Sequence, residues 1–201
     1  MNCLVVATRN RGKIKELEVL LGGLVTKIMS SADLEGFPDT IEDGDTFKDN
    51  ALKKAREASA FSGLSALADD SGLIVDALDG LPGVLSARFA GVGGGDAANN
   101  DLLLMKMKGV PLESRRAAFL CVLAFVSPQG VERTFVGRVG GQILESPRGT
   151  EGFGYDPLFL VDGSGCSMAE LDLEQKNVIS HRGQAFRQFL EFYKEYGQIK
   201  S

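Results

Sequence analysis

The spacing of apolar residues changes several times along the chain, and each change marks an element. Leu4-Val5-Val6-Ala7 is a short apolar run of the buried-strand kind, after which Ile14, Leu17, Leu20 and Leu21 recur at helical spacing. Residues 25–29 read as a second strand. A helix is expected from near Thr46, through Ala51, Leu52, Ala55 and Ala58, to about Phe61. Thr46 is its N-cap and Asp49 takes the capping-box position. The apolar-leaning run 65–68 then ends in Asp69 and Asp70, followed by Ser71-Gly72 and a further strand at 73–75, a pattern that predicts a strand delivering two acids to a turn. Residues 79–83 make a turn around Pro82, and 91–96 form a glycine-rich loop. A helix over 100–107 places Leu103, Leu104 and Met107 in the core. The continuous apolar run 116–126 and the arm 131–139 pair as a hairpin at the centre of the sheet, which Ile143-Leu144 extends. A final helix, capped by Ser180, buries Phe186, Phe189, Leu190 and Tyr193.

Composition narrows the function classes. A chain of 201 residues buries one substantial core, as one domain or one domain with two lobes. The formal charge of −5 and pI near 5.0 lack the basic footprint of a nonspecific nucleic-acid or membrane-surface binder. Any anionic ligand must therefore be held by a local cluster. Cys3, Cys121 and Cys166 are odd in number and widely separated, which argues against disulfides and a zinc site and for a reducing compartment. The short apolar N-terminal stretch has no leading basic segment, so neither a signal peptide nor a membrane span is expected.

Three stretches carry candidate chemistry. Thr8, Arg9, Asn10, Arg11, Gly12 and Lys13 join the first strand to the first helix, so three cations gather at the positive end of a helix dipole, where each costs about 0.3–1 kcal/mol. That placement suits a phosphate cradle built from helix N–H groups, Gly12 and Lys13, although a solvated basic turn is the alternative. It is not a P-loop, because the GxxxxGK spacing is absent. Asp69 and Asp70 repel unless a cation or donors lie between them, and alternation along a strand keeps both from facing one cleft unless the strand has ended there. The pair marks a place for a divalent metal, or simply an Asx turn before glycine. Glu42, Asp43, Asp45 and Asp49 form an acidic cluster in which Asp49 serves the cap and Glu42 has no local structural duty. Lys53, Lys54 and Arg56 lie along the following helix as solvated charges, with Lys54 in reach of an anion. Arg88 is either a phosphate contact or an ion-pair partner. In the run 148–159, glycines around Phe153 and Tyr155 expose an aromatic face for stacking on a planar ligand, worth about 1–3 kcal/mol per base, unless the rings pack into the core. His181, the only histidine, reads as a hydrogen-bond donor beside Arg182 and Lys176 rather than as a general base.

Five separated blocks, ATRNRGKIKEL, EDGDTFKDNALKKAR, ADDSGL with DGLPGVLSAR, GFGYDPLF and ISHRGQAF, resemble in order the inosine triphosphate pyrophosphatase family. The resemblance implies a mixed α/β fold with a long twisted central sheet flanked by helices, two lobes of a single domain over 1–201 and a nucleotide cleft between them. It implies a cytoplasmic homodimer that cleaves ITP, dITP or XTP, with Mg²⁺, to the monophosphate and pyrophosphate, and that binds neither a nucleic-acid polymer nor a membrane. By matching position, residues 8–13 hold the triphosphate and Asp70 accepts a proton from the attacking water and meets the metal. Glu42 is the second metal ligand and Ser71 touches the substrate. Phe153, Gly154, Tyr155 and Asp156 frame the nucleoside, while Lys176, His181 and Arg182 read the base. Two positions depart from the pattern: Asp49 stands where Glu is common, and Glu151 where GTGGFGYD has Gly.

Overall fold

The computed structural model describes residues 3–21 and 27–199. The described strands are β1 (Cys3–Val6), β2 (Lys27–Ser30), β3 (Ser65–Val75), β4 (Arg116–Val126), β5 (Glu132–Ile143) and β6 (Phe159–Val161). The helices are α1 (Arg11–Leu21), α2 (Phe47–Ser62), α3 (Gly95–Lys106), α4 (Leu173–Ile179) and α5 (His181–Ile199). The fold is mixed α/β around one six-stranded sheet of order β2-β1-β3-β4-β5-β6. β1 pairs in parallel with both β2 and β3, and β6 pairs antiparallel to β5.

The chain divides into two compact units, each with its own core. Unit 1 comprises Met1–Asp70, Cys121–Gly137 and Arg182–Ser201; unit 2 comprises Ser71–Leu120 and Arg138–His181. The long strands β3, β4 and β5 therefore each give one stretch to unit 1 and one to unit 2. In unit 1, Leu4, Val6, Leu17, Leu21, Leu67 and Leu123 pack with the aromatic face of α5, where Phe186 and Phe189 are fully buried. In unit 2, Leu73, Val75, Leu103, Met107, Phe119 and Phe159 form the second core. Burial of each such side chain contributes roughly 1.5–3 kcal/mol.

Local signals and tertiary outcome agree at most helices. Asn10 Oδ1 accepts the Lys13 N–H at 3.1 Å and so caps α1, and Thr46 Oγ1 accepts the Asp49 N–H at 3.1 Å at the start of α2. Gly63, at φ +67°, ends α2 in the left-handed conformation. Helix α3 begins at Gly95, five residues before the expected start. Asp96 occupies its first turn, and Asn99 anchors it to the Ala90 N–H and to the Ser86 and Ala87 carbonyls. Strand β2 covers 27–30, and the first two residues of its expected range, Val25 and Thr26, lie outside the described residues. Helix α4, held by an Asp172/Gln175 capping box, had no counterpart in the apolar spacing. Ser180, in extended conformation, separates it from α5.

The expected turn at Asp69-Asp70-Ser71-Gly72 does not form. Strand β3 runs unbroken from Ser65 to Val75, straight through both acids. Each carboxylate meets cations on its own face of the strand, so the ladder is kept without like-charge repulsion and no Asx turn competes. Among the described residues no helix is long and apolar enough to cross a membrane.

Candidate active site

Alternation along β3 sends its two adjacent carboxylates into different surroundings within unit 1. Asp69, with no side-chain exposure, accepts from Arg182 Nε at 3.1 Å and from Cys121 Sγ at 3.0 Å, and pairs with Lys13 Nζ. Arg182 also pairs with Glu16. Two cations and two anions thus balance in a buried network. Burial alone would raise the Asp69 carboxyl, but Arg182 and Lys13 outweigh it and hold it well below the usual carboxylate range. The Cys121 thiol is pushed up by burial and by the Asp69 charge, which makes it an inert donor.

Asp70 faces a second group. Lys54 Nζ donates to Asp70 Oδ1 at 2.9 Å, to Glu42 Oε1 at 2.8 Å and to the Asp69 carbonyl at 2.7 Å. Asn50, fully buried one turn before Lys54 on α2, donates to Asp70 Oδ2 at 3.3 Å, and its Oδ1 accepts the Gly44 N–H at 2.8 Å. A Cβ at Gly44 would stand 2.7 Å from that oxygen, so the chain next to Glu42 can approach α2 only as glycine. Burial pushes the Asp70 carboxyl up; Lys54 draws it back in part, Glu42 adds to the rise, and the net shift is upward. Lys54 loses to burial but gains more from Asp70 and Glu42, which keep it charged.

The basic segment before α1 is spread out rather than clustered. Arg9 reaches the Phe37 carbonyl at 2.9 Å and Asp39 at 2.7 Å, Lys13 reaches Asp69, and Arg11 is exposed. The Thr8 hydroxyl accepts the Asn10 N–H at 3.2 Å. The Arg9–Asp39 pair lies at the surface, where such contacts are worth about 0–1 kcal/mol.

In unit 2, the glycine-rich run folds around a buried pair. Lys176 Nζ donates to Asp156 Oδ2 at 2.5 Å and lies 4.7 Å from the centroid of the half-buried Phe153 ring. The same Asp156 oxygen accepts the Phe153 N–H at 2.9 Å. Gly152 has φ +78° and a Cβ there would collide with that carboxylate, so glycine is required. Tyr155 is buried and donates to the Ser86 carbonyl at 2.9 Å, which makes it a support and leaves Phe153 as the accessible ring. The His181 ring stacks on Phe119 at 4.9 Å and 14°.

Three groups therefore emerge: Lys13, Glu16, Asp69, Cys121 and Arg182; Glu42, Asn50, Lys54 and Asp70; and Phe153, Asp156 and Lys176. Arg182 joins the first group, where two buried carboxylates hold its guanidinium. Ser71 follows Asp70 on β3 as the first residue of unit 2. Glu16 and Asn50 were not anticipated. Glu16 adjoins Leu17 on the buried side of α1, and Asn50 and Lys54 share a face with Ala51, Ala55 and Ala58 on α2. Polar residues on an apolar face call for buried partners, and that was the signal available.

The family model of the Ham1 family matches residues 4–192. The chain belongs to the Ham1 family. It is 57% identical over 185 residues to the dITP/XTP pyrophosphatase of Geobacter sulfurreducens, covering 92% of this chain and 93% of that one. With the dITP/XTP pyrophosphatase of Desulforamulus reducens the identity is 52% over 188 residues, with 94% of both chains covered. Among solved structures, a HAM1 protein from Coxiella burnetii superposes with a TM-score of 0.88 at 39% identity, over 97% of this chain and all of that one. The nucleoside-triphosphatase / dITP/XTP pyrophosphatase from Mycobacterium abscessus gives 0.76 at 46% identity, over 94% and 98%.

Proposed function

We propose that this Ham1-family chain hydrolyses ITP, dITP and XTP to the nucleoside monophosphate and pyrophosphate, removing deaminated purines from the nucleotide pool. The observation that carries the reading is the pair of carboxylates, Glu42 and Asp70, converging on one cationic nitrogen at 2.8 and 2.9 Å in a chain this similar to dITP/XTP pyrophosphatases. Water attacks the α-phosphorus, pyrophosphate leaves, and a carboxylate takes the water's proton. Asp70 suits that duty because its raised affinity for a proton makes it a stronger acceptor than an ordinary aspartate. Most of the remaining catalysis is positioning and charge neutralisation, with no covalent intermediate.

Oxygens of Glu42 and Asp70 that meet at one ammonium also fit a hard divalent cation, so Mg²⁺ is the expected cofactor. Among the described residues no three His, Cys, Asp or Glu side chains group to hold a metal unaided, which suits an ion bound through two carboxylates together with substrate phosphates. When bound, the ion would supply charge neutralisation at the triphosphate. Lys54 holds the two carboxylates in register and is a further phosphate partner. Residues 8–13 hold the triphosphate, with Arg9 and Lys13 exchanging surface or buried carboxylates for it, and Ser71 touches the substrate. Arg182 and Glu16 act by fixing Lys13 and Asp69.

Phe153 stacks on the base and Gly154, Tyr155 and Asp156 hold that ring in place, while Lys176 and His181 supply donors. Hypoxanthine and xanthine present a keto oxygen at position 6, an acceptor, where adenine presents a donor. Two donors left facing each other cost about 1–3 kcal/mol, about five- to 150-fold in selectivity. The two units are read as lobes of one functional domain over 1–201. A homodimer follows from the family resemblance, and a reducing cytoplasm suits three cysteines that form no disulfide.

The test is a product assay with Mg²⁺ on ITP, XTP, ATP and GTP that detects pyrophosphate and orthophosphate separately. Pyrophosphate from ITP and XTP with little from ATP or GTP, abolished in Asp70→Asn while nucleotide binding persists, is the expected outcome. Orthophosphate as the first product would move the attack to the γ-phosphorus and overturn the mechanism; retained turnover in Asp70→Asn would remove the role of that residue.

A further inference from the structure

Helix α3 read from sequence as core packing, yet its polar face grips the segment that carries Phe153. Asp96 Oδ2 accepts the Gly154 N–H at 2.6 Å, and Asn100 Nδ2 donates to the Gly154 carbonyl at 3.0 Å. These residues stand four apart, on one face of the helix, and together they satisfy both backbone polar groups of the residue that follows Phe153. Asn99, on the neighbouring buried face, donates to the Ser86 carbonyl at 3.4 Å, the same oxygen that accepts from the Tyr155 hydroxyl. On its other side Phe153 is held through its own N–H by Asp156. The Phe153 carbonyl in turn accepts the Asp156 N–H at 3.3 Å, and of the side chains that anchor this stretch of backbone two, Asp96 and Asn100, come from α3.

We propose that Asp96 and Asn100 are positioning residues that set base affinity by holding the Gly154 peptide, and through it the Phe153 ring. The inference rests on the reading of Phe153 as the base-stacking residue. A stacked base gains only from a ring already in place, so loosening the clamp weakens ITP binding and leaves the phosphate chemistry alone.

The experiment measures kcat and KM for ITP, together with inhibition by inorganic pyrophosphate, which has no base to read, in Asp96→Ala, Asn100→Ala, Asp96→Asn and Phe153→Ala. Asp101→Ala, exposed on the same helix, controls for general effects on α3. Asp96→Ala and Asn100→Ala are expected to raise KM about tenfold with kcat held within about twofold and pyrophosphate inhibition unchanged. Asp96→Asn, whose amide oxygen still accepts the Gly154 N–H, restores a KM near the parent's. An unchanged KM in both alanine variants, or a KM rise accompanied by equal changes in kcat and pyrophosphate inhibition, overturns the proposal. If Phe153→Ala itself leaves KM unaltered, the stacking reading fails and this inference with it; a Phe153 effect without an Asp96 or Asn100 effect sinks the clamp alone.

Discussion

Replacing Arg182 by Met tests whether the buried charge network is a unit. Its side chain is 2% exposed, Glu16 is 3% and Asp69 0%, so neither carboxylate can turn to water when the guanidinium is removed. Lys13 and Cys121 still compensate Asp69. Glu16 keeps a buried negative charge without its main counter-ion, and losing one partner of such a pair costs about 3–5 kcal/mol. For a chain of this size each kcal/mol shifts Tm by about 2–4 °C, so the variant should melt roughly 6–20 °C lower. The second change, Glu16→Gln in the same chain, removes the stranded charge and leaves Lys13 against Asp69. The double variant should therefore be more stable than Arg182→Met alone, and its loss should fall short of the sum of the two single losses by about 1–3 kcal/mol. Denaturant unfolding of the parent, both singles and the double, without metal or nucleotide, gives the cycle. Additive single effects, or an Arg182→Met loss under about 1 kcal/mol, would show that the four charges do not act together.

Two further outcomes follow from the same unit. Lys54→Met leaves Glu42 and Asp70 facing each other, and because Glu42 is 29% exposed the cost is discounted to about 2–3 kcal/mol; Mg²⁺ should raise the Tm of this variant more than that of the parent, and equal shifts would contradict a shared cation site. Asp69 has a folded-state affinity for protons well below its ordinary value near 3.8, so its contribution is fully present above that pH and is lost as pH falls further toward the folded value. The stability gap between the parent and Asp69→Asn should be constant from about pH 7 to 5 and narrow below about pH 4; a gap that persists or widens at pH 3 would refute the charge-based account.

Much of this was legible before any coordinates. The continuous apolar run of β4 has the bounds expected of it, and the cap at Thr46 and the aromatic face of α5 follow short-range rules that hold wherever the chain is placed. Alternation foretold that Asp69 and Asp70 could share a face only if the strand ended; the strand continues and the two part. What misled was the DDSG signal itself, because local turn chemistry ignores the counter-charges that long-range packing supplies. The early start of α3 and the presence of α4 were hidden for a similar reason: Asn99 and the Asp172 box replace the apolar spacing that normally announces a helix.

The sequence by itself determined the family, most of the longer elements and the residues available for chemistry, because motifs and periodicity are properties of neighbours along the chain. Tertiary structure alone decided which charges meet. Arg182 reads like a partner for His181 next to it, yet it is drawn to Glu16, 166 residues away, and Lys54, expected within reach of an anion, finds two carboxylates, Glu42 and Asp70. Charges taken out of water must find counter-charges wherever the fold brings them, and their separation in sequence has no bearing on that energy.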